Sequence, residues 1–155
     1  MPITKEEFKS ALSCFASGVT VVTTKDMSGQ LHGLTVSAFC SVSLEPPLIL
    51  ICIDKKTGSH HAFEESGYFV VNILNEDQQN VSNQFASHLA DKFTGIKYST
   101  NANEIPILSE ALVNLECSLK NAYDGGDHTI FVGQIEKSHI SEDGQPLIYC
   151  RGQYQ

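Results

Sequence analysis

Apolar and polar positions change period several times along the chain, and each change marks an element. From Thr4 to Ala16 the side chains Phe8, Ala11, Leu12 and Phe15 fall on one helical face. Thr4 and Glu7 have the spacing of a capping box, so an opening helix is expected, ended by Gly18. Val19-Thr-Val-Val-Thr-Thr is β-branched throughout and predicts a strand, closed by a turn at Asp26 to Gln30. A second strand region runs from Leu31 to Leu44, is rich in small hydroxyl residues, and is interrupted by Pro46-Pro47. Leu48 to Ile53 reads as a buried strand, and Thr57 to Ser66 as a short helix closed by Gly67.

Tyr68 to Leu74 is another strand, followed by a helix that Asn75 is placed to cap and whose apolar face is Val81, Phe85 and Leu89. Asp91 to Glu110 has weak periodicity and reads as loop with a short element at most. Beyond it Val113, Leu115, Cys117 and Leu119 alternate with polar residues, the pattern of a half-buried antiparallel strand. Asp124-Gly-Gly-Asp turns the chain, Thr129 to Ile140 returns, and a turn at Glu142-Asp-Gly leads to a short final strand, Leu147 to Cys150. Six or seven strands joined by short turns, with two or three helices, favour an α+β, mainly β fold. The expected architecture is a β-barrel with peripheral helices rather than a doubly wound sheet.

The length of 155 residues gives one expected domain spanning 1–155, with neither repeat nor linker. No run approaches the roughly 18 apolar residues of a membrane span. The start, Met1-Pro-Ile-Thr-Lys-Glu-Glu, lacks the basic and apolar stretches of a signal peptide, so a cytoplasmic location and no membrane partner are expected. A net charge of −8 argues against nucleic acid, whose phosphates need clustered Lys and Arg. The five cysteines are scattered without a C-x-x-C unit, which excludes a zinc ribbon or dithiol motif and leaves mostly buried, reduced thiols.

Neither common Gly-rich phosphate cradle occurs, nor a G-x-S-x-G nucleophile elbow. A bound nucleotide would therefore rest on hydroxyls, backbone amides and a few cations. Gly33-Leu-Thr-Val-Ser-Ala-Phe-Cys-Ser-Val-Ser suits a planar ligand, though an ordinary strand pair with polar faces has the same composition. Asp54-Lys-Lys-Thr-Gly-Ser precedes a predicted helix, a place that favours anions; a solvated turn capped by Thr57 or Ser59 is the plainer reading. His60 and His61 diverge by about 100° on a helix and make a poor ligand pair. His32, His88 and His139 read as surface residues, and His128 opens a strand where it can stand at a cleft rim. No grouping has metal-ligand spacing, so no metal is expected. Glu116, Asp124 and Asp127 fit a hydrolytic acid/base pair less well than a solvated turn.

Taken in order, five segments resemble the flavin reductase family, the reductase components of two-component flavin monooxygenases. They are Phe15-Ala-Ser-Gly-Val-Thr-Val-Val-Thr-Thr, Gly33 to Leu48, Phe69-Val-Val-Asn-Ile-Leu, Gly126-Asp-His-Thr-Ile-Phe-Val-Gly and Pro146-Leu-Ile-Tyr-Cys-Arg-Gly-Gln-Tyr. The resemblance implies a flavin reductase-like split barrel and a homodimer with flavin near the subunit interface. It implies that Thr35, Val36, Ser37 and Ala38 border the flavin ring, with Ser41, Val42 and Ser43 continuing the pocket. Asp54, Lys55, Lys56 and Ser59 would face the ribityl-phosphate end, and Phe85 and Ala86 would line the cofactor from the second predicted helix.

By the same resemblance His128 lies beside the nicotinamide as the catalytic-site residue, and Tyr149, Cys150, Arg151 and Gly152 contact the nicotinamide nucleotide. Cys150 departs from the aromatic residue common in the family. The implied activity is reduction of FMN or FAD by NADH or NADPH for a partner monooxygenase, with stacking of the two rings as the protein's main task. Two alternatives are a non-catalytic flavin-binding split barrel and an oxidase of the pyridoxamine-phosphate type. The second needs a further basic pocket, beyond Lys55, Lys56 and Arg151.

Overall fold

The computed structural model describes residues 2–155. Helix α1 (Lys5–Ser13) leads into the short strand β1 (Ser17–Gly18), then β2 (Thr20–Lys25), β3 (Leu31–Val36), β4 (Phe39–Ser43) and β5 (Leu48–Asp54). Helix α2 (His60–Ser66), strand β6 (Tyr68–Ile73) and helix α3 (Gln79–Phe85) follow. The chain then forms three hairpins, β7 (Tyr98–Thr100) with β8 (Pro106–Leu108), β9 (Val113–Gly125) with β10 (His128–Ile140), and β11 (Ile148–Cys150) with β12 (Gln153–Tyr154).

Seven strands make one antiparallel sheet in the order β3-β2-β6-β9-β10-β5-β4. Its outer strands, β3 and β4, are separated in sequence by Ser37 and Ala38 alone. Three Cα steps reach at most roughly 11 Å, so the two edges must meet at that end and the sheet curls into a barrel. The run Leu31 to Leu44, expected as one strand region, therefore breaks at its middle. The Ser37 carbonyl accepts from the Phe39 amide at 2.9 Å, and the Ala38 carbonyl from the Cys52 amide at 3.0 Å, which pins the crossover against β5.

Alternation along each strand sends one set of side chains into the barrel and the other outward. Val22, Val36, Ile49, Ile51, Ile53, Phe69, Val71 and Phe131 fill the interior, with Phe63 of α2 packed among them. Val19 and Val21 face the other way, into a second core with Leu74, Phe85, Phe93, Leu108 and Leu147. Strand β2 is thus buried on both faces, and its threonines spend their hydroxyls internally. Thr20 Oγ1 donates to Val36 O at 2.6 Å, Thr23 Oγ1 to Pro106 O at 2.6 Å and Thr24 Oγ1 to Tyr68 O at 2.7 Å.

Buried Asn72 holds the β7–β8 hairpin onto the barrel. Its Nδ2 donates to Val21 O at 2.9 Å, while its Oδ1 accepts from the Leu108 amide at 3.1 Å and from Asn114 Nδ2 at 2.8 Å. This hairpin is the short element in the stretch Asp91 to Glu110, and side chain–backbone bonds rather than periodicity define it. Two glycines admit aromatic rings. A Cβ at Gly133 would lie 2.5 Å from Phe69 Cζ, and one at Gly33 would lie 2.6 Å from Phe85 Cε1.

Several expectations need correction. The α1 capping box forms, with Glu7 N donating to Thr4 Oγ1 at 3.1 Å, but the helix ends at Ser13 and buries none of its residues. Phe8, Leu12 and Phe15 are exposed, so the apolar face of α1 is not part of the core. Asn75 does not cap α3; its Oδ1 accepts from the Asp77 amide at 2.7 Å, starting a turn before the helix. Leu89 lies beyond α3 and is exposed. Of the cysteines only Cys117 is buried, whereas Cys14 and Cys40 are exposed.

Burial pushes the Cys117 thiol up to about 12, so it stays protonated at neutral pH. In native protein at pH 8, maleimide labelling should modify Cys14 and Cys40 and leave Cys117 unmodified until denaturant is added, as read by peptide mass spectrometry. Gly133→Ala should cost about 1–3 kcal/mol in urea denaturation, because the Phe69 ring has to give way. Adding Phe69→Leu should recover part of that loss, since the two sites share one volume.

Candidate functional site

Register brings Asp54, His128 and the Ser37–Ala38 crossover to one end of the barrel, while Ser41 and Ser43 pair with Ile49 and Leu48 at the other end of β5. Asp54 pairs with His128, and His128 with Gly125, across three neighbouring strands. The bond from the Cys52 amide to Ala38 sets the Ser37–Ala38 crossover beside the same end. Ser37, Ala38, Ser41 and Val42 are exposed, and Ser43 is half-buried. Val36 turns its side chain into the barrel core, so it can meet a ligand only through its backbone. Thr35 Oγ1 donates to Ser82 O at 2.6 Å, tying β3 to α3.

The basic loop after β5 is more committed than its sequence suggests. Lys55 Nζ pairs with Asp124 and also donates to Gly126 O at 2.8 Å, while the Lys55 amide donates to Asp127 O at 2.9 Å. Lys55 therefore anchors the β9–β10 turn. Lys56 is exposed, and its amide donates to Asp54 Oδ1 at 2.9 Å. His128 Nδ1 lies 2.7 Å from Asp127 Oδ1. The hydrogen bonds from Lys55 and His128 hold Asp124 and Asp127 below the usual carboxylate range. Glu116 instead meets His139, at 3.1 Å. The three carboxylates are thus spread over ion pairs and form no acid/base dyad.

The C-terminal segment reaches the same region by a different route. Tyr149 pairs with Ser17 and with Tyr154, just before the strand in which Thr20 pairs with Val36. Arg151 at φ 52° and Gly152 at φ 75° form the turn between β11 and β12. The Arg151 amide donates to Ser13 O at 2.8 Å, and Cys150 Sγ contacts the same carbonyl at 3.7 Å, leaving the Arg151 side chain exposed. Tyr154 OH lies 2.7 Å from Ser82 Oγ and 2.8 Å from Asn83 Oδ1, docking this hairpin on α3.

A cavity of about 660 Å³ opens from the start of β3, lined by Gln30 to Gly33, Thr57 to Ser59, Ser87 to Phe93 and Tyr98. Gly33 and Ser37 are four residues apart, about 13 Å along an extended strand, so cavity and crossover lie at opposite ends of β3. Ser59 is the predicted residue that lines it. Phe85 is fully buried against Gly33, so its ring cannot line a ligand; Ala86 is exposed beside it. Thr57, Ser59, Ser87 and a single lysine, Lys92, are among the lining residues, with the Ser87 hydroxyl donating to Gln84 O at 2.6 Å. Lys92 Nζ donates to Phe85 O at 3.0 Å and Gly33 O at 3.3 Å, and burial pulls it below the usual lysine range.

Sequence reasoning missed Lys92 and His32. Lys92 stands alone in an aperiodic stretch, which carries no pattern to read. His32, expected at the surface, is largely shielded: Nε2 lies 2.8 Å from Asp26 Oδ2 and Nδ1 lies 3.0 Å from Ser59 Oγ. That bond also explains why Ser59, at the N-cap position of α2, makes no cap bond. The Asp-to-Gln turn that brings Asp26 beside His32 was visible, but not the ring's direction.

The structure is a seven-stranded antiparallel barrel with an exposed crossover between its outer strands and a cavity bearing Ser59 and Lys92 at the start of β3. The particular family follows from comparison, and the chain belongs to the flavin reductase like domain family, whose model matches residues 12–155. The reductase subunit HsaB of a flavin-dependent monooxygenase from Rhodococcus jostii (strain RHA1) is 40% identical over 152 residues, 98% of this chain and 77% of that protein. FMN reductase (NADH) SmoA from Agrobacterium fabrum (strain C58 / ATCC 33970) is 37% identical over 147 residues, 95% of this chain and 83% of that protein. The structure of the NADH:FAD oxidoreductase SgcE6 from Streptomyces globisporus C-1027, in complex with NAD and FAD fragments, superposes with a TM-score of 0.92. It is 29% identical and covers 100% of this chain and 96% of that one.

Lys55→Ala should speed amide exchange at residues 124–127 at least severalfold. Global stability should fall by less than about 1 kcal/mol, because exposed ion pairs contribute little.

Proposed function

We propose that the chain is an NAD(P)H:flavin oxidoreductase, reducing FMN or FAD with NADH or NADPH and delivering reduced flavin to a partner monooxygenase. The observation that carries this reading is that the exposed Ser37–Ala38 crossover and the cavity with Ser59 and Lys92 lie at the two ends of β3. An extended molecule with a flat ring at one end and a phosphate at the other matches that length and that donor set. Flavin and reduced nicotinamide supply the redox chemistry when bound, a hydride passing from nicotinamide C4 to flavin N5.

This chain's residues bind and orient. Backbone at Thr35 to Ala38 borders the ring, Ser41 to Ser43 extend the surface along β4, and Ser59 with Lys92 holds the phosphate end. Lys55 serves the ring end indirectly, by fixing the turn that carries His128. The Asp127 carboxylate orients the His128 imidazole, which positions the nicotinamide and takes no part in proton transfer. Tyr149 to Gly152 offer a tyrosine face and the exposed Arg151 to the remainder of the dinucleotide.

The protein works as a cytoplasmic homodimer, in which a second copy covers α1 residues Phe8 and Leu12 and β4 residues Val42 and Leu44. These side chains are exposed in the single chain, at 55%, 54%, 49% and 86%. Among the described residues no helix is long and apolar enough to cross a membrane.

NADH or NADPH oxidation by the purified protein should depend on added FMN or FAD. Absence of turnover with either flavin would overturn the assignment. His128→Ala should raise the Michaelis constant for the nicotinamide roughly tenfold, the loss of about 1.4 kcal/mol of binding, with a smaller change in kcat. A fall in kcat with that constant unchanged would contradict the positioning role.

A further inference from the structure

The cavity's serine is backed by a histidine and an aspartate in line, and the donors and acceptors in that line do not balance for an anion. Asp26 lies in the turn after β2. Its Oδ1 accepts from the Ser28 amide at 2.9 Å, the Ser28 hydroxyl at 2.6 Å and the Gln30 amide at 3.0 Å, leaving Oδ2 for His32. These bonds, with that from His32, hold Asp26 far below the usual carboxylate range, so it only accepts. His32 Nε2 must then carry a proton, and Nδ1 is left to face Ser59 Oγ.

Two arrangements satisfy the Nδ1 contact. In a neutral ring Nδ1 accepts, so the single hydroxyl proton of Ser59 points at His32 and only oxygen lone pairs face the cavity. In an imidazolium Nδ1 donates, Ser59 Oγ accepts, and the hydroxyl proton is free to be donated into the cavity. Lone pairs repel a phosphate dianion; a hydroxyl donor backed by a cation attracts it.

We propose that His32 couples binding of the flavin's phosphate to uptake of one proton from solvent, the Asp26–His32 pair switching Ser59 from acceptor to donor toward the phosphate. This rests on the assignment of the cavity to the phosphate end of a flavin. His32 is a positioning residue, since it acts through Ser59. The other titratable groups facing it are few. The His61 ring from α2 stands edge-on with centroids 5.3 Å apart, and His61 Nε2 lies 3.9 Å from Asp26 Oδ2. The loop from Ser87 to Phe93 contributes Lys92, His88 and Asp91 to the cavity lining. His61 is half exposed and bonds neither Ser59 nor His32 among the described residues, so it cannot set the hydroxyl's direction.

The test is calorimetry of FMN binding to the whole protein at pH 8, in buffers of differing ionisation enthalpy. At that pH a phosphate monoester is already a dianion. Riboflavin, which has the same ring without phosphate, is the control. Wild-type protein should take up close to one proton per FMN and none per riboflavin. His32→Gln keeps a donor and an acceptor but cannot become a cation; it should abolish the uptake and weaken FMN binding at least tenfold more than riboflavin binding.

Binding of FMN without proton uptake by the wild type overturns the coupling, and this measurement needs no variant. Equal weakening of both flavins in His32→Gln, or in Asp26→Asn, assigns these residues a structural role and overturns it as well. Failure of either flavin to bind would instead remove the cavity assignment on which the coupling rests.

Discussion

Ser37 and Ala38 carry the chain from one edge of the seven-stranded sheet to the other, and two residues are too few to do so unless the edges meet. Barrel closure follows from that span. So does the burial of Val36 on one side of the crossover and the exposure of Ser37 and Ala38 at its tip. The β5–β10 ladder sets Asp54 opposite His128, and the Cys52–Ala38 bond puts the crossover beside them.

Closure leaves the outer face of β2 and β6 to be covered, and α3 with the β7–β8 hairpin covers it. Here polar contacts specify what apolar ones stabilise. Asn72 is fully buried with both ends of its amide satisfied, so moving the hairpin by a residue would strand a donor and an acceptor. Phe85 uses the missing Cβ of Gly33 to reach the strand, and it thereby fixes the loop that carries Lys92. Core packing and the cavity wall are therefore one structure, and the anionic end of the site inherits the rigidity of the second core.

Cations in the site are few. Lys55 is consumed by the turn that presents His128, and Lys92 is half-buried against two carbonyls. With one lysine in the lining, the protonation state of the His32 imidazole has leverage on an incoming anion.

By itself the sequence determined most elements of this protein and the class to which it belongs. Periodicity marks the strands because burial on one face of a pleat repeats every second residue, and the capping box of α1 is a purely local interaction. The ordered segments from Phe15 to Tyr154 carry the family likeness, which the match over residues 12–155 bears out. Tertiary structure alone decided which polar residues are free to act. Lys55, Lys56 and Ser59 are alike to a reader of the sequence, yet one anchors a turn, one is solvated and one lines the cavity. His32 and Lys92 enter the site because distant segments converge on them. The reason is physical: hydrogen-bond partners at long sequence separation leave no periodic trace in the chain, so their assignment exists only once the barrel has closed.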